Sequence, residues 1–159
     1  MRSLRPYHVL FAICAALALP GAFPAAAADF PPVTDEEKAL TAVPGEPNAP
    51  AVVLFKKGEF LMAGYGLPKG NLASVLHVQV RIKILTNEGR SNGEIAIAHS
   101  GEERLHAFQA RTVLPDGRIL PVPADAKFVR KTSRSLKTYT TAVAFPGVQA
   151  GAILDYSYD

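Results

Sequence analysis

The chain has 159 residues, one cysteine and no tryptophan, and carries 17 basic against 14 acidic side chains for a formal charge of +3. That length holds one domain and little else. Charge so nearly balanced excludes nucleic acid as the main partner, because that needs a broad basic footprint.

Arg2 and Arg5 precede an apolar run over residues 9–19, which falls short of the roughly 20 residues that a bilayer core requires. Pro20 and Gly21 break the run, and the small residues Ala25, Ala26, Ala27 and Ala28 supply an A-x-A cleavage site. The pattern predicts a signal peptide over 1–28, cut between Ala28 and Asp29, and hence an exported protein, periplasmic or secreted, with no stable membrane span. An uncleaved N-terminal helix is the alternative. Cleavage removes two bases and no acid, which lowers the charge to +1. Cys14 stands inside the apolar run behind Ile13, a poor lipidation site, so the mature chain has no thiol for a disulfide, a nucleophile or a metal.

Residues 29–50 form a lead-in rich in proline and alanine, with Pro31, Pro32, Pro44, Pro47 and Pro50 favouring extended backbone. Thr34 and Glu37 have capping-box spacing, and Asp35, Glu36 and Glu37 place negative charge on a first turn. A short helix is expected there, ending by about residue 42, able to dock on a sheet but not to form a core.

From residue 51 the chain reads as strands. Leu76, Val78, Val80, Ile82 and Ile84 alternate with His77, Gln79, Arg81 and Lys83, which predicts a strand with one face on a core and the other in water. Further strands are expected over 52–62, 94–99, 105–114, 118–122, 128–132, 138–145 and 152–158. Asn87-Glu88-Gly89 and Asn92-Gly93 mark a hairpin end, Pro115-Asp116-Gly117 a tight turn, and Pro146-Gly147 a strand end. Short strands at this spacing predict an all-β fold, an antiparallel β-sandwich or open barrel over 51–159. The chain stops on a strand with no closing turn, so the expected sandwich is incomplete at its C-terminal edge, with an unpaired edge left there.

Four stretches occur in a fixed order over about 110 residues. They are Pro50-Ala51-Val52-Val53-Leu54; Lys83-Ile84-Leu85-Thr86-Asn87-Glu88-Gly89; Ala110-Arg111-Thr112-Val113-Leu114-Pro115-Asp116-Gly117; and Phe145-Pro146-Gly147-Val148-Gln149-Ala150-Gly151-Ala152-Ile153-Leu154-Asp155-Tyr156. With the lead-in Pro32-Val33-Thr34-Asp35-Glu36-Glu37, this order resembles the bacterial domain of unknown function that stands N-terminal to transglutaminase-like cores in exported proteins. The resemblance implies a β-sandwich accessory domain whose partner is a C-terminal papain-like core with a Cys-His-Asp triad. None of that triad can be placed on this chain.

The remaining polar clusters have plain readings beside chemical ones. His77, His99 and His106 could converge on zinc, but histidines on strand surfaces need no metal. Ser100 follows His99 without the elbow that a nucleophilic serine requires. Glu102 and Glu103 are adjacent, so an extended chain points them apart. Tyr139, Thr141, Val143 and Phe145 share a strand face and read as core, although Tyr139, Tyr156, Tyr158 and Phe145 could form an aromatic platform. Lys127, Arg130, Lys131, Arg134 and Lys137 read as an edge kept basic against strand addition, with an anionic partner as the alternative. No catalytic residue, cofactor or metal is assigned. The expected function is a noncatalytic accessory or interaction domain of the envelope that positions an enzyme domain or binds peptide, glycan or another envelope protein. Its alternatives are the leading part of a cysteine transglutaminase or protease, and a free-standing peptide- or glycan-binding sandwich.

Overall fold

A computed structural model describes residues 30–63, 73–133 and 137–159; the leader, its cleavage pair Ala28 and Asp29, and Arg134 lie outside them. The described strands are β1 (Ala51–Ala63), β2 (Ala73–Ile84), β3 (Glu94–Ser100), β4 (Gln109–Val113), β5 (Ile119–Pro121), β6 (Lys127–Ser133), β7 (Thr138–Ala144) and β8 (Ile153–Tyr158). They form two antiparallel sheets in the orders β1-β2-β8-β4-β5 and β3-β7-β6. The predicted all-β sandwich is therefore the fold. No described helix is long and apolar enough to cross a membrane.

Between the sheets, Ile84, Ala110, Leu154 and Phe145 form a buried cluster with Ile95, Phe108, Val148 and Tyr156 packed against it. Fully burying an aliphatic side chain of this size contributes about 1.5–3 kcal/mol. Thr141, Val143 and Phe145 are buried on one face of β7 and its end, as the alternation predicts. Tyr156 stands edge-on to Phe145 at 6.2 Å and stacks with Tyr158 at 6.4 Å. These rings form a ladder within the fold rather than an exposed platform.

Four expectations are corrected. The C-terminal strand is central and not an edge, because β8 pairs with β2 on one side and β4 on the other. Ala152, Ile153, Leu154 and Asp155 are all buried, as a strand covered on both faces must be. The turn signals at residues 87–93 build a 3-10 helix, Asn87–Gly93, that carries the chain from the larger sheet to the smaller. No β2–β3 hairpin forms; the carbonyl of Pro50 instead accepts from the N–H groups of Leu85 and Thr86 at 2.9 and 3.1 Å. The strand expected over 105–114 is confined to Gln109–Val113.

The fourth correction concerns the polar face of β2. His77 is exposed and Gln79 half-buried, but Arg81 is 1% and Lys83 2% exposed. The lead-in covers them. Helix α1 (Asp35–Ala39) begins in the predicted capping box: Glu37 N–H donates to Thr34 Oγ1 at 3.2 Å and Thr34 N–H to Glu37 Oε2 at 2.9 Å. That box fixes Glu37 where it can reach across to the sheet.

The turn chemistry holds elsewhere. Gly117 has φ +86° and its N–H donates to Leu114 O at 2.9 Å, closing the β4–β5 hairpin after Pro115 and Asp116.

Candidate functional site

The outer face of the larger sheet carries a row of charges. Arg81 on β2 and Arg111 on β4 both lie directly opposite Asp155 on β8, so the pleat sends all three side chains to one face. Arg81 donates from Nε to Asp155 Oδ1 at 2.6 Å and from Nη2 to Oδ2 at 3.1 Å, while Arg111 Nε donates to Oδ2 at 2.9 Å. The lead-in takes up the remaining donors of Arg81. Its Nη1 donates to Glu37 Oε2 at 2.8 Å and to Pro32 O at 3.2 Å, and Nη2 donates to Pro31 O. Lys83 Nζ donates to Lys38 O at 3.0 Å and to Gly151 O at 2.8 Å.

Burial acts to lower the pKa of Arg81, but bonding and attraction to Asp155 and Glu37 outweigh it and leave the guanidinium above its ordinary value. For Lys83, burial dominates and holds the ammonium below its ordinary value, with Glu37 acting in the other direction. Every donor just named is spent on the protein itself. The row therefore fastens the lead-in to the sheet, and a ligand could reach it only by displacing that segment. Composition could not show this, but Asp155 as the lone charged residue of β8 was the available signal.

A groove of about 900 Å³ opens between the sheets at the other end of β2. Its walls come from Phe60 on β1, residues 74–76 on β2, residues 97–99 on β3, the loop over 102–106, and Tyr158 with Asp159 after β8. Apolar side chains crowd its mouth: Phe60 is 62%, Leu76 49% and Val75 37% exposed. Burial raises the pKa of Tyr156 and of Tyr158, and for Tyr156 the neighbouring Tyr158 adds to the effect. His77 Nδ1 lies 2.6 Å from Asp159 Oδ1.

The histidines fall near this groove but turn to separate tasks. His99 stacks on Tyr139 at 5.8 Å, with Nε2 3.2 Å from Thr141 Oγ1 and Nδ1 3.2 Å from Ser100 O. His106 exchanges backbone hydrogen bonds with Asp159 at 2.8 and 3.0 Å. No three metal-ligating side chains cluster among the described residues. Ser100 N–H donates to Glu103 Oε2 at 2.6 Å, a turn contact that holds the Glu103 carboxyl below its ordinary value.

The basic run is split by the pleat. Lys127 and Lys131 stand opposite Val143 and Tyr139, on the face turned toward the other sheet, and Arg130 stands on the reverse face opposite Thr140. Lys127 Nζ lies 5.3 Å from the Phe108 ring centroid and Lys131 Nζ 5.9 Å from that of Tyr139. Lys137 sits in the β6–β7 turn with φ +48°. The four described bases thus do not form one cluster.

The sequence matches a family described as a domain of unknown function with solved structure, DUF3857, over residues 71–159, more than half the chain. No curated protein matches it. A solved structure of a candidate protease from Parabacteroides distasonis ATCC 8503 is 18% identical with a TM-score of 0.47; 54% of this chain is covered and 19% of that one. The chain accordingly spans less than a fifth of that protein's length.

Proposed function

The chain belongs to the DUF3857 family, and from that premise we propose that it is a noncatalytic accessory domain of an exported protein, which holds a partner polypeptide in the groove between its sheets. The observation that carries this reading is the mouth of the groove, where Phe60 on β1 and Leu76 and Val75 on β2 line it and are 62%, 49% and 37% exposed. Contiguous exposed apolar side chains rimmed by polar ones mark an interaction surface. Glu102, Glu103 and Arg104 supply the polar rim.

The partner proposed is a transglutaminase-like, papain-type core in the same polypeptide. Tyr158 and Asp159 line the groove, so residues following Asp159 would leave the sandwich at the surface that is to be covered. The leader over residues 1–28 places the protein outside the cytoplasm in this reading.

Reading the gene in frame beyond Asp159 tests the proposal. The expected result is an open frame with Cys, His and Asp in papain-like order. A stop codon directly after Asp159 would contradict the shared polypeptide, and reproducible hydrolase activity from residues 29–159 would contradict the noncatalytic role.

A further inference from the structure

We propose that β6 is a strand-addition site for an extended, acidic polypeptide segment, at a surface separate from the groove. Among the described residues β6 pairs only with β7, so over residues 127–131 its outer edge is open to a further strand. An edge protected by charge alone would display lysine and hide its apolar side chains. Here Phe128 is 70% and Val129 66% exposed, on opposite faces of the strand.

The charge on this edge selects the partner. Arg130 lies on the face of Phe128, and Lys127 and Lys131 lie on the face of Val129, so both faces of an incoming strand meet a base. Cation–π contacts hold Lys127 against Phe108 and Lys131 against Tyr139. A second copy of this chain fits poorly, because antiparallel pairing of two β6 edges about Arg130 sets Arg130 against Arg130, and like charges directly opposite are destabilising. A segment with acidic residues opposite Lys127, Arg130 and Lys131 and β-branched residues opposite Phe128 and Val129 would instead set carboxylates beside the three bases and apolar side chains beside Phe128 and Val129. The backbone ladder supplies affinity and the order of acidic and apolar residues supplies selectivity.

The test uses the full chain and a capped peptide containing Glu-Glu-Val-Val-Glu, the antiparallel complement of residues 127–131, with binding read by fluorescence anisotropy and by amide shifts in NMR. The expected result is saturable binding with shifts centred on β6. Reversing both exposed charges, Arg130→Glu with Lys131→Glu, should weaken it by about tenfold or more, and N-methylating alternate peptide bonds of the probe should abolish it. Circular dichroism verifies the fold of the variant, and Phe128→Ser, which leaves the charges intact, should also weaken binding. The proposal is overturned by equal binding of the N-methylated probe, by equal competition from inorganic phosphate or phosphatidylglycerol vesicles, by dimerisation through β6, or by no binding at all. A Phe60→Ser variant, which alters only the groove, should bind the probe unchanged, so this inference and the groove fail separately.

Discussion

Arg81 and Asp155 face one another across β2 and β8, both almost wholly buried, with Nε and Oδ1 2.6 Å apart. Arg111 reaches the same carboxylate from the far side. Removing one member of a buried pair strands the other charge, which typically costs about 3–5 kcal/mol. Asp155→Asn should therefore lower the stability measured by urea unfolding by that amount. Arg81→Met combined with Asp155→Leu should cost clearly less than the two single changes added together, since no unpaired buried charge remains on those strands.

Glu37 joins the helix to this row, because one carboxylate oxygen, Oε2, accepts both from Thr34 N–H in the capping box and from Arg81 Nη1. Thr34→Ala removes only the cap and should cost about 1 kcal/mol. Glu37→Ala loses the cap and the ion pair together, so it should cost more. Hydrogen exchange over residues 30–42 is expected to rise in both variants, most in Glu37→Ala, while β2 and β8 amides stay protected.

Gly89 is fixed by a close approach rather than by a turn angle. A Cβ at this position would run into the carbonyl oxygen of Pro50 and crowd Ile84 Cγ2 at 3.1 Å. The Pro50 oxygen already accepts from Leu85 and Thr86, so it cannot withdraw without breaking those bonds. Gly89→Ala should destabilise by about 1–3 kcal/mol. Gly117→Ala, with nothing within 4 Å of its added Cβ, should lose stability through its φ of +86° alone, which thermal unfolding of the pair would separate.

Alkaline pH sets buried groups against one another. Tyr156 and Tyr158 titrate higher in the folded chain than the usual value of 10.0, so their contribution is intact below pH 10 and is lost as pH rises through their folded values. Lys83 titrates below 10.5 when folded, so between its folded value and 10.5 the unfolded chain holds more protons and stability gains with pH. Tyr156→Phe should flatten the alkaline loss and Lys83→Met should steepen it. Urea midpoints from about pH 8 to about 11 measure both slopes, each bounded by about 1.4 kcal/mol per pH unit per proton.

Local patterns showed most of the fold: the alternation in β2, the capping box at Thr34 and the turn at Gly117 each lie within a few residues, where sequence and backbone are tightly coupled. What stayed hidden was long-range. Arg81 and Lys83 alternate as a solvated face would, and only the docking of a segment 44 or more positions away buries them. The place of β8 is likewise hidden by chain order, because the last strand inserts between β2 and β4. The groove could not be read either, since Phe60 and Leu76 look like core residues until the two sheets are seen to part around them. The basic run was visible, but its division between two faces needed the register of β6 on β7.

If the groove holds a partner polypeptide, Phe60 at its mouth lies against that partner. A photo-crosslinking residue placed at Phe60 in the natural gene product, activated in intact cells and mapped by mass spectrometry, reports what covers that surface. The expected result is one dominant adduct to a transglutaminase-like segment following Asp159 in the same polypeptide. An adduct to glycan or lipid, or none from correctly folded protein, would contradict it.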